Sequence, residues 1–168
     1  IPIDPFYLSW LARREGAETR FIELAGEINT AMPHRIVAKL ADALQQRFGK
    51  SFAGAKIGLL GVAYKRDVDD PRESPAFVIM EDLLSAGAEI SYHDPHVPQL
   101  PRMRRHNVPR LKSQPLTEAW VQSLDAAVIV ADHSAVDYEL LVRSARLLID
   151  TRNATSRVAG DKSNVIRA

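Results

Sequence analysis

The chain of 168 residues contains no cysteine, which excludes disulfides and thiol catalysis by its own side chains. No apolar run approaches the roughly 18 residues of a membrane span, and no basic segment precedes an apolar stretch as in a signal peptide. The net charge of +1 argues against a nucleic-acid or other polyanion surface over the whole molecule. These absences predict a soluble, cytoplasmic protein that binds neither nucleic acid nor membranes.

The glycine pattern of a dinucleotide-binding turn is also missing. Gly58 and Gly61 follow that pattern only in part, because Ala63 stands where the second glycine after the strand is required. A backbone that cannot approach a pyrophosphate closely makes a poor dinucleotide site. We therefore do not expect NAD to bind wholly within this chain.

The first part of the chain has the pattern of two helices. Asp4 and Pro5 fit the N-cap and first position of a helix that is predicted to reach about Arg14. Apolar residues then recur at helical spacing from Thr19 to Phe48, although Pro33 should kink or interrupt this helix. The apolar face of such a long helix must be buried, and we expect a partner chain or another domain to pack against it.

The rest of the chain alternates short apolar strands with amphipathic helices. Strands are predicted at 56–62, 88–93, 126–131 and 147–149, and helices at 75–86, 117–123 and 138–145, with an irregular excursion over 95–115. This alternation predicts a Rossmann-like α/β domain with a parallel sheet and helices on both faces. We divide the chain into a helical segment, 1–50, and this domain, 51–168.

Two cations and an aromatic residue follow the predicted strands. Tyr64 and Lys65 come after the first strand, and Arg152 comes after the last. Ligands of parallel sheets bind beyond the carboxyl ends of the strands, so both cations should project towards that edge. A nucleoside diphosphate would suit them, with charge for the phosphates and a ring for the base. Alternatively, both are ordinary solvated surface cations.

An acidic loop and three histidines are weaker candidates for a site. The carboxylates at 69, 70 and 73 are expected to pair with Arg72 or to stabilise the start of the next helix, which Ser74 should cap. His93, His96 and His133 are expected at the sheet edge, in loops. A proline separates the first two, and no fourth ligand is apparent, so the sequence predicts no metal site.

Six phrases of the sequence, taken together, resemble the UDP-glucose/GDP-mannose dehydrogenase family. They are Ile1–Leu8, Phe21–Asn29, Gly61–Lys65, Asp70–Pro75, Tyr92–Pro95 and Ile149–Arg152. The resemblance implies an enzyme that uses NAD to oxidise the C6 alcohol of a UDP-sugar to a carboxylate, through a cysteine thioester. It also implies a homodimer formed through the long helix.

The resemblance assigns roles to individual residues. Asp4 matches the catalytic aspartate that assists water activation, four places after the family's cysteine. Tyr64 and Lys65 match the pair that holds the UDP part and the sugar, and Arg152 matches an arginine at the substrate nucleotide. Arg72 matches an arginine that reaches the NAD cofactor, which another domain binds.

The departures from the family pattern limit what this chain can do alone. The cysteine would stand immediately before Ile1, and the dinucleotide domain is absent. We therefore expect a C-terminal fragment that binds a UDP-sugar, leaning to a UDP-N-acetylhexosamine, and that is inactive by itself. The alternative is a non-catalytic nucleotide-binding or oligomerisation module.

Overall fold

A computed structural model describes residues 4–168, so the first three residues of the Ile1–Leu8 phrase lie outside it. The chain begins with two helices, α1 (Asp4–Arg14) and α2 (Arg20–Phe48). Helix α2 runs without a break through Pro33, so of the predicted kink or interruption the interruption is wrong, and the kink stays a prediction. Pro33 has no N–H, so one bond of the helical ladder is missing there, and its side chain is buried.

A sheet of five parallel strands follows, which confirms the predicted α/β class. The strands are β1 (Lys56–Leu60), β2 (Glu89–His93), β3 (Ala126–Ile129), β4 (Leu148–Asp150) and β5 (Val165–Arg167), in the order β2-β1-β3-β4-β5. The sequence did not predict β5. That strand has three residues and lies at the sheet edge, where it is too short and too exposed to show an apolar pattern.

Helices cover both faces of the sheet. They are α3 (Ala76–Ser85), α4 (Glu118–Ser123), α5 (Tyr138–Ser144) and a short 3₁₀ helix (Ala154–Arg157). Helix α3 packs with α2 on one face, and α4 and α5 lie on the other. Between β2 and α4 the chain is irregular apart from one bridge, Gln99 to Lys112, as the prolines there predicted.

Successive side chains along each strand point to opposite faces of the sheet, so the core has two layers. Leu59 and Val128 point to the layer shared with α2 and α3, whereas Leu60 and Ile129 point to the layer under α4 and α5. All four side chains are fully buried. A strand that is apolar on both faces is expected when helices cover both faces of a parallel sheet.

Helix α2 has two halves with different surroundings. In its second half, Ile36, Leu40 and Leu44 are buried in the core of the sheet domain, and His34 Nδ1 lies 2.6 Å from the Asp82 carboxylate of α3. The first half and α1 leave large apolar side chains exposed, among them Phe6, Tyr7, Leu8, Trp10, Leu11, Phe21, Leu24 and Ile28. No helix within residues 4–168 combines the length and the apolar character needed to cross a bilayer.

Candidate nucleotide-binding site

The strand order creates a crevice between β1 and β3. Strand β2 lies on one side of β1 and β3 lies on the other, so the connections leave this point in opposite directions. Ligands of open α/β sheets bind at such a switch point, beyond the carboxyl ends of the strands. Two segments border it, which we call the β1 loop (residues 61–74) and the β3 loop (residues 130–137).

Gly61 begins the β1 loop because no other residue fits there. Its φ of +75° lies in the left-handed region, and a Cβ would come within 2.7 Å of Ala131 Cβ and also overlap the Ala131 carbonyl oxygen. Its N–H donates to the His93 carbonyl at 2.9 Å. This glycine therefore lets two strand ends approach each other, rather than bringing the backbone to a pyrophosphate.

The buried carboxylate of Asp94 organises the start of the β1 loop. Its Oδ2 accepts the N–H groups of Val62 at 2.7 Å and Ala63 at 3.2 Å, and its Oδ1 accepts those of His96 at 2.8 Å and Val97 at 3.0 Å. Burial raises the pKa of Asp94, but its hydrogen bonds outweigh burial and bring the pKa to about 2. The carboxylate thus fixes the turn that presents the next residues, Tyr64 and Lys65.

His133 connects Asp94 to the middle of the β1 loop. Its ring is fully buried, with Nε2 3.1 Å from Asp94 Oδ2, while Nδ1 accepts the N–H of Asp67 at 2.9 Å. The Asp67 donor fixes the neutral tautomer that carries its proton on Nε2. Of the three histidines expected in loops at the sheet edge, His96 and His133 do lie in loops, although His133 is fully buried, whereas His93 is the last residue of β2.

Asp67 and Ser134 hold the β1 and β3 loops together. Asp67 Oδ1 accepts the Ser134 N–H at 2.7 Å, and Ser134 Oγ donates to Asp67 Oδ2 at 2.5 Å. These bonds, led by the one from the Ser134 hydroxyl, lower the pKa of Asp67 to about 2. Arg66 Nη2 also donates to Ser134 Oγ, at 2.8 Å. The sequence analysis overlooked Arg66 and Asp67, although they directly follow Lys65.

Tyr64 and Lys65 project from the fixed turn into solvent. Tyr64 is 42% exposed, and Lys65 Nζ lies 5.2 Å from the centre of the Tyr64 ring. Within residues 4–168, the Lys65 ammonium forms no ion pair. A cation without a carboxylate partner beside an exposed ring can bind an anion together with a planar group.

Arg152 lies at the same edge of the sheet, at the end of β4. Asp150 Oδ1 accepts its backbone N–H at 3.0 Å, and its Nε lies 3.4 Å from Asp132 Oδ1. Asp132 Oδ2 is also 3.8 Å from Arg66 Nη1, so one carboxylate lies between two guanidinium groups. A cavity of about 540 Å³, a size typical of small-molecule sites, opens beside Asp132 and is bordered by Arg66, Asn153 and Arg157, but Tyr64, Lys65 and Arg152 do not line it.

The sequence model described as the UDP-glucose/GDP-mannose dehydrogenase family, UDP binding domain, matches residues 58–157, which include both crevice loops and Arg152. The chain belongs to this family. The resemblance carried by the six phrases is thereby confirmed. The site between β1 and β3 lies in the family's UDP-binding domain.

Relatives of the family align with nearly all of this chain. It is 30% identical to UDP-glucose 6-dehydrogenase AglM of Haloferax volcanii, over 95% of the chain and 36% of that protein. It is 30% identical to UDP-N-acetyl-D-mannosamine dehydrogenase of Methanocaldococcus jannaschii, over 96% of the chain and 35% of that protein. The solved UDP-D-ManNAc dehydrogenase of Pyrococcus horikoshii superposes with a TM-score of 0.73 and 27% identity, over 99% of this chain and 36% of that one. The chain therefore spans about a third of the length of these relatives.

The residue that the family resemblance assigns to the cofactor, Arg72, is held by a neighbour. Its Nε and Nη2 donate to the Asp70 carboxylate at 2.9 and 2.7 Å, and this pairing lowers the pKa of Asp70 to about 2. Most of the guanidinium remains exposed. Ser74 Oγ accepts the Ala76 N–H at 3.2 Å, but Pro75 holds the N-cap position, so Ser74 is not the N-cap as predicted and α3 begins one residue later than expected.

Asp4, the catalytic residue of the family resemblance, is the first residue of α1 and is exposed. None of the hydrogen bonds or ion pairs within residues 4–168 joins it to the crevice. Its catalytic role stays a prediction. The structure does bring together three groups that could ligate a metal, on Asp67, His96 and His133. The sequence analysis did not include Asp67 in that set.

Proposed function

We propose that this chain is the C-terminal part of an NAD-dependent UDP-sugar 6-dehydrogenase, in which it binds the UDP-sugar and forms a homodimer. The proposed reaction oxidises the C6 alcohol of the sugar to a carboxylate in two hydride transfers, through a thioester on a cysteine outside this chain. The names of the relatives support this reaction, and the UDP-N-acetylhexosamines form the proposed substrate class.

One observation carries the proposal, namely that the Lys65 ammonium, which forms no ion pair with the residues that the structure describes (4–168), lies beside the Tyr64 ring at the switch point. A UDP-sugar offers a diphosphate for the cation and a planar group for the ring. Arg152 is restrained by Asp132 at 3.4 Å, and that contact is long enough to give way to a phosphate oxygen. We propose Tyr64, Lys65 and Arg152 as substrate-binding residues.

The residues present do not make a complete NAD site. Gly61 packs against Ala131, and Ala63 is buried, so the turn after β1 has no open backbone for a pyrophosphate. NAD, which accepts hydride in such reactions, would be held mainly outside this chain. Within the chain, only Arg72 is proposed to reach it, because its guanidinium is exposed and could exchange Asp70 for a phosphate.

Asp4 is proposed as the residue that assists water in thioester hydrolysis. An exposed carboxylate at a helix start can accept a proton from a water molecule that attacks a nearby acyl carbon. The proposal requires the cysteine to lie close to Asp4. In the intact protein, Asp4→Asn should therefore slow product formation without changing UDP binding.

Binding of UDP tests the proposed site directly. In calorimetry we expect UDP to bind the chain, NAD⁺ to show no appreciable binding, and Lys65→Ala to weaken UDP binding by about ten- to a hundredfold, since a charge-assisted hydrogen bond contributes about 1.5–3 kcal/mol. Lys56→Ala is the control, because this exposed lysine lies at the opposite end of β1. An unchanged affinity in Lys65→Ala, or reduction of NAD⁺ by this chain with a UDP-sugar, would contradict the proposal.

The dimer is proposed to form through α1 and the first half of α2. Phe21 is 90% exposed there, and a second copy of the same surface would bury it. Light scattering should show a dimer, and Phe21→Asp should shift it towards monomer, whereas Gln46→Asp on the exposed face of the second half should not. A strict monomer in the unmodified chain would contradict the proposal.

The alternative function, a non-catalytic oligomerisation module, would give the same dimer. The coding sequence before Ile1 distinguishes the two functions, since an initiator methionine in that place would exclude the enzyme.

A further inference from the structure

Three potential metal ligands from three different segments converge at one end of the crevice. Asp67 belongs to the β1 loop, His96 follows β2, and His133 belongs to the β3 loop. We propose that these residues form a binding site for a zinc-type divalent cation. The site is distinct from the proposed UDP contacts at Tyr64, Lys65 and Arg152, and the proposal does not depend on UDP binding.

The spacing of the ligand atoms fits a tetrahedral cation. Asp67 Oδ1 lies 3.7 Å from His96 Nε2 and 3.8 Å from His133 Nδ1, and the ligand atoms of the three residues all lie within 4.8 Å of one another. Zinc bonds of about 2.0–2.2 Å place tetrahedral ligand atoms roughly 3.4 Å apart. These two spacings exceed that value by a few tenths of an ångström, and the remaining spacing, between the His96 and His133 ligand atoms, is within 4.8 Å, so side-chain rotation has to bring the three ligand atoms closer together.

The histidine rings already have the orientation that a metal needs. His133 donates Nε2–H to the buried carboxylate of Asp94, and a ligating histidine commonly donates its second nitrogen to a carboxylate in this way. Its Nδ1 therefore carries the lone pair, which now accepts one backbone N–H, that of Asp67. A cation would replace this single donor.

His96 gives the second, independent indication. Its Nε2 is shielded from solvent and has no hydrogen-bond partner within the described part of the chain, residues 4–168. A buried polar atom without a partner costs free energy, and such atoms are uncommon in native structures. The same nitrogen lies 3.7 Å from Asp67 Oδ1, so a cation between them would give this nitrogen a partner.

The donor set determines the class of cation. Two imidazole nitrogens and one carboxylate oxygen suit zinc and its neighbours, whereas magnesium and calcium prefer oxygen ligands alone. Asp67 and His96 are partly exposed, which leaves a fourth position for water. A bound cation would join all three segments and would hold the β1 loop, with Tyr64 and Lys65, in a single arrangement.

Metal titration of the chain, purified without a histidine tag and treated with chelator, tests the proposal. With Zn²⁺ alone, calorimetry should give one site per chain, and the melting temperature should rise and fall back when EDTA is added. With Co²⁺ alone, visible absorption bands of a four-coordinate ion should appear. His96→Gln and Asp67→Asn should each weaken Zn²⁺ binding more than about tenfold, because even residues that only support a ligand contribute 10- to 100-fold.

His93→Gln is the matched control, because it removes a histidine of the same segment that bonds the Gln114 carbonyl instead. Its Zn²⁺ affinity should equal that of the unmodified chain. The proposal is overturned if no stoichiometric site appears, if the Co²⁺ bands are absent, or if His93→Gln weakens binding as much as His96→Gln does. Circular dichroism of each variant distinguishes a lost site from a lost fold.

Discussion

Replacing Asp94 with asparagine should lower the free energy of unfolding by about 2–6 kcal/mol, because each buried donor that is left without its acceptor costs about 1–3 kcal/mol. The carboxylate accepts hydrogen bonds on both oxygens, from four backbone N–H groups and from His133. An asparagine keeps one oxygen and puts an NH₂ group where the other was. That NH₂ would face at least two buried donors, which would lose their acceptor.

Urea denaturation of the two proteins measures this difference. Asp161→Asn is the control, because Asp161 is exposed and its side-chain hydrogen bonds within residues 4–168 reach only Ser163, so its loss should change stability by no more than about 0.5 kcal/mol. A loss below about 1 kcal/mol in Asp94→Asn would mean that the carboxylate does not organise the turn.

The free energy of unfolding measured at acidic pH tests the role of Asp94 in a second way. The folded protein lowers the pKa of Asp94 from its ordinary value of 3.8 to about 2, so the folded state binds this proton less readily than the unfolded chain. The resulting stabilisation of about 2 kcal/mol is fully present above pH 4 and is lost as the pH falls towards 2. Asp94→Asn should therefore lose less stability than the unmodified protein over that interval.

Replacing Gly61 with alanine should cost about 2–4 kcal/mol, the second large effect expected of a single substitution. Two terms contribute, namely a side chain at a φ of +75° and the overlap of its Cβ with the backbone of Ala131. Ala131 belongs to the β3 loop and is itself buried, so it cannot move away cheaply. The β1 and β3 strand ends would have to separate.

Gly54→Ala separates the two terms, because Gly54 has a φ of +70° and no atom within 4 Å of the added Cβ. Only backbone strain acts there, and we expect a loss of about 1 kcal/mol. Urea denaturation of both variants gives the comparison. Equal losses would show that the approach of Gly61 to Ala131 contributes nothing, and would contradict the proposed reason for this glycine.

The fold class was predictable because the sequence patterns that indicate its strands and helices are local. The apolar run of β1 and the amphipathic pattern of α3 each lie within a dozen residues, so the alternation of strands and helices is visible in the sequence. Strand β5 was not predictable, since Val165–Arg167 is recognisable as a strand only from its pairing with β4. The continuity of α2 through Pro33 was not predictable either, because the local rule for proline takes no account of the buried position of this residue.

The site was predictable only in part, for the same reason. Strand ends indicated where Lys65 and Arg152 would lie, because parallel strands share a carboxyl edge. The pairing of His133 with Asp94 joins residues 39 positions apart, and the pairing of Asp67 with Ser134 joins residues 67 positions apart. Composition and spacing contain no information on such pairs. A charged residue beside an expected binding residue, as Asp67 is near Lys65, was the one available signal.

The continuity of α2 has a mechanical consequence. An unbroken helix of 29 residues is about 43 Å long, and a hydrogen-bonded helix resists bending far more than a loop does. The exposed half and the buried half of α2 therefore move together as one rigid body. The buried half packs against α3, which begins where the β1 loop ends. A force that turns the exposed half would therefore act through α3 on the β1 loop, which carries Tyr64 and Lys65.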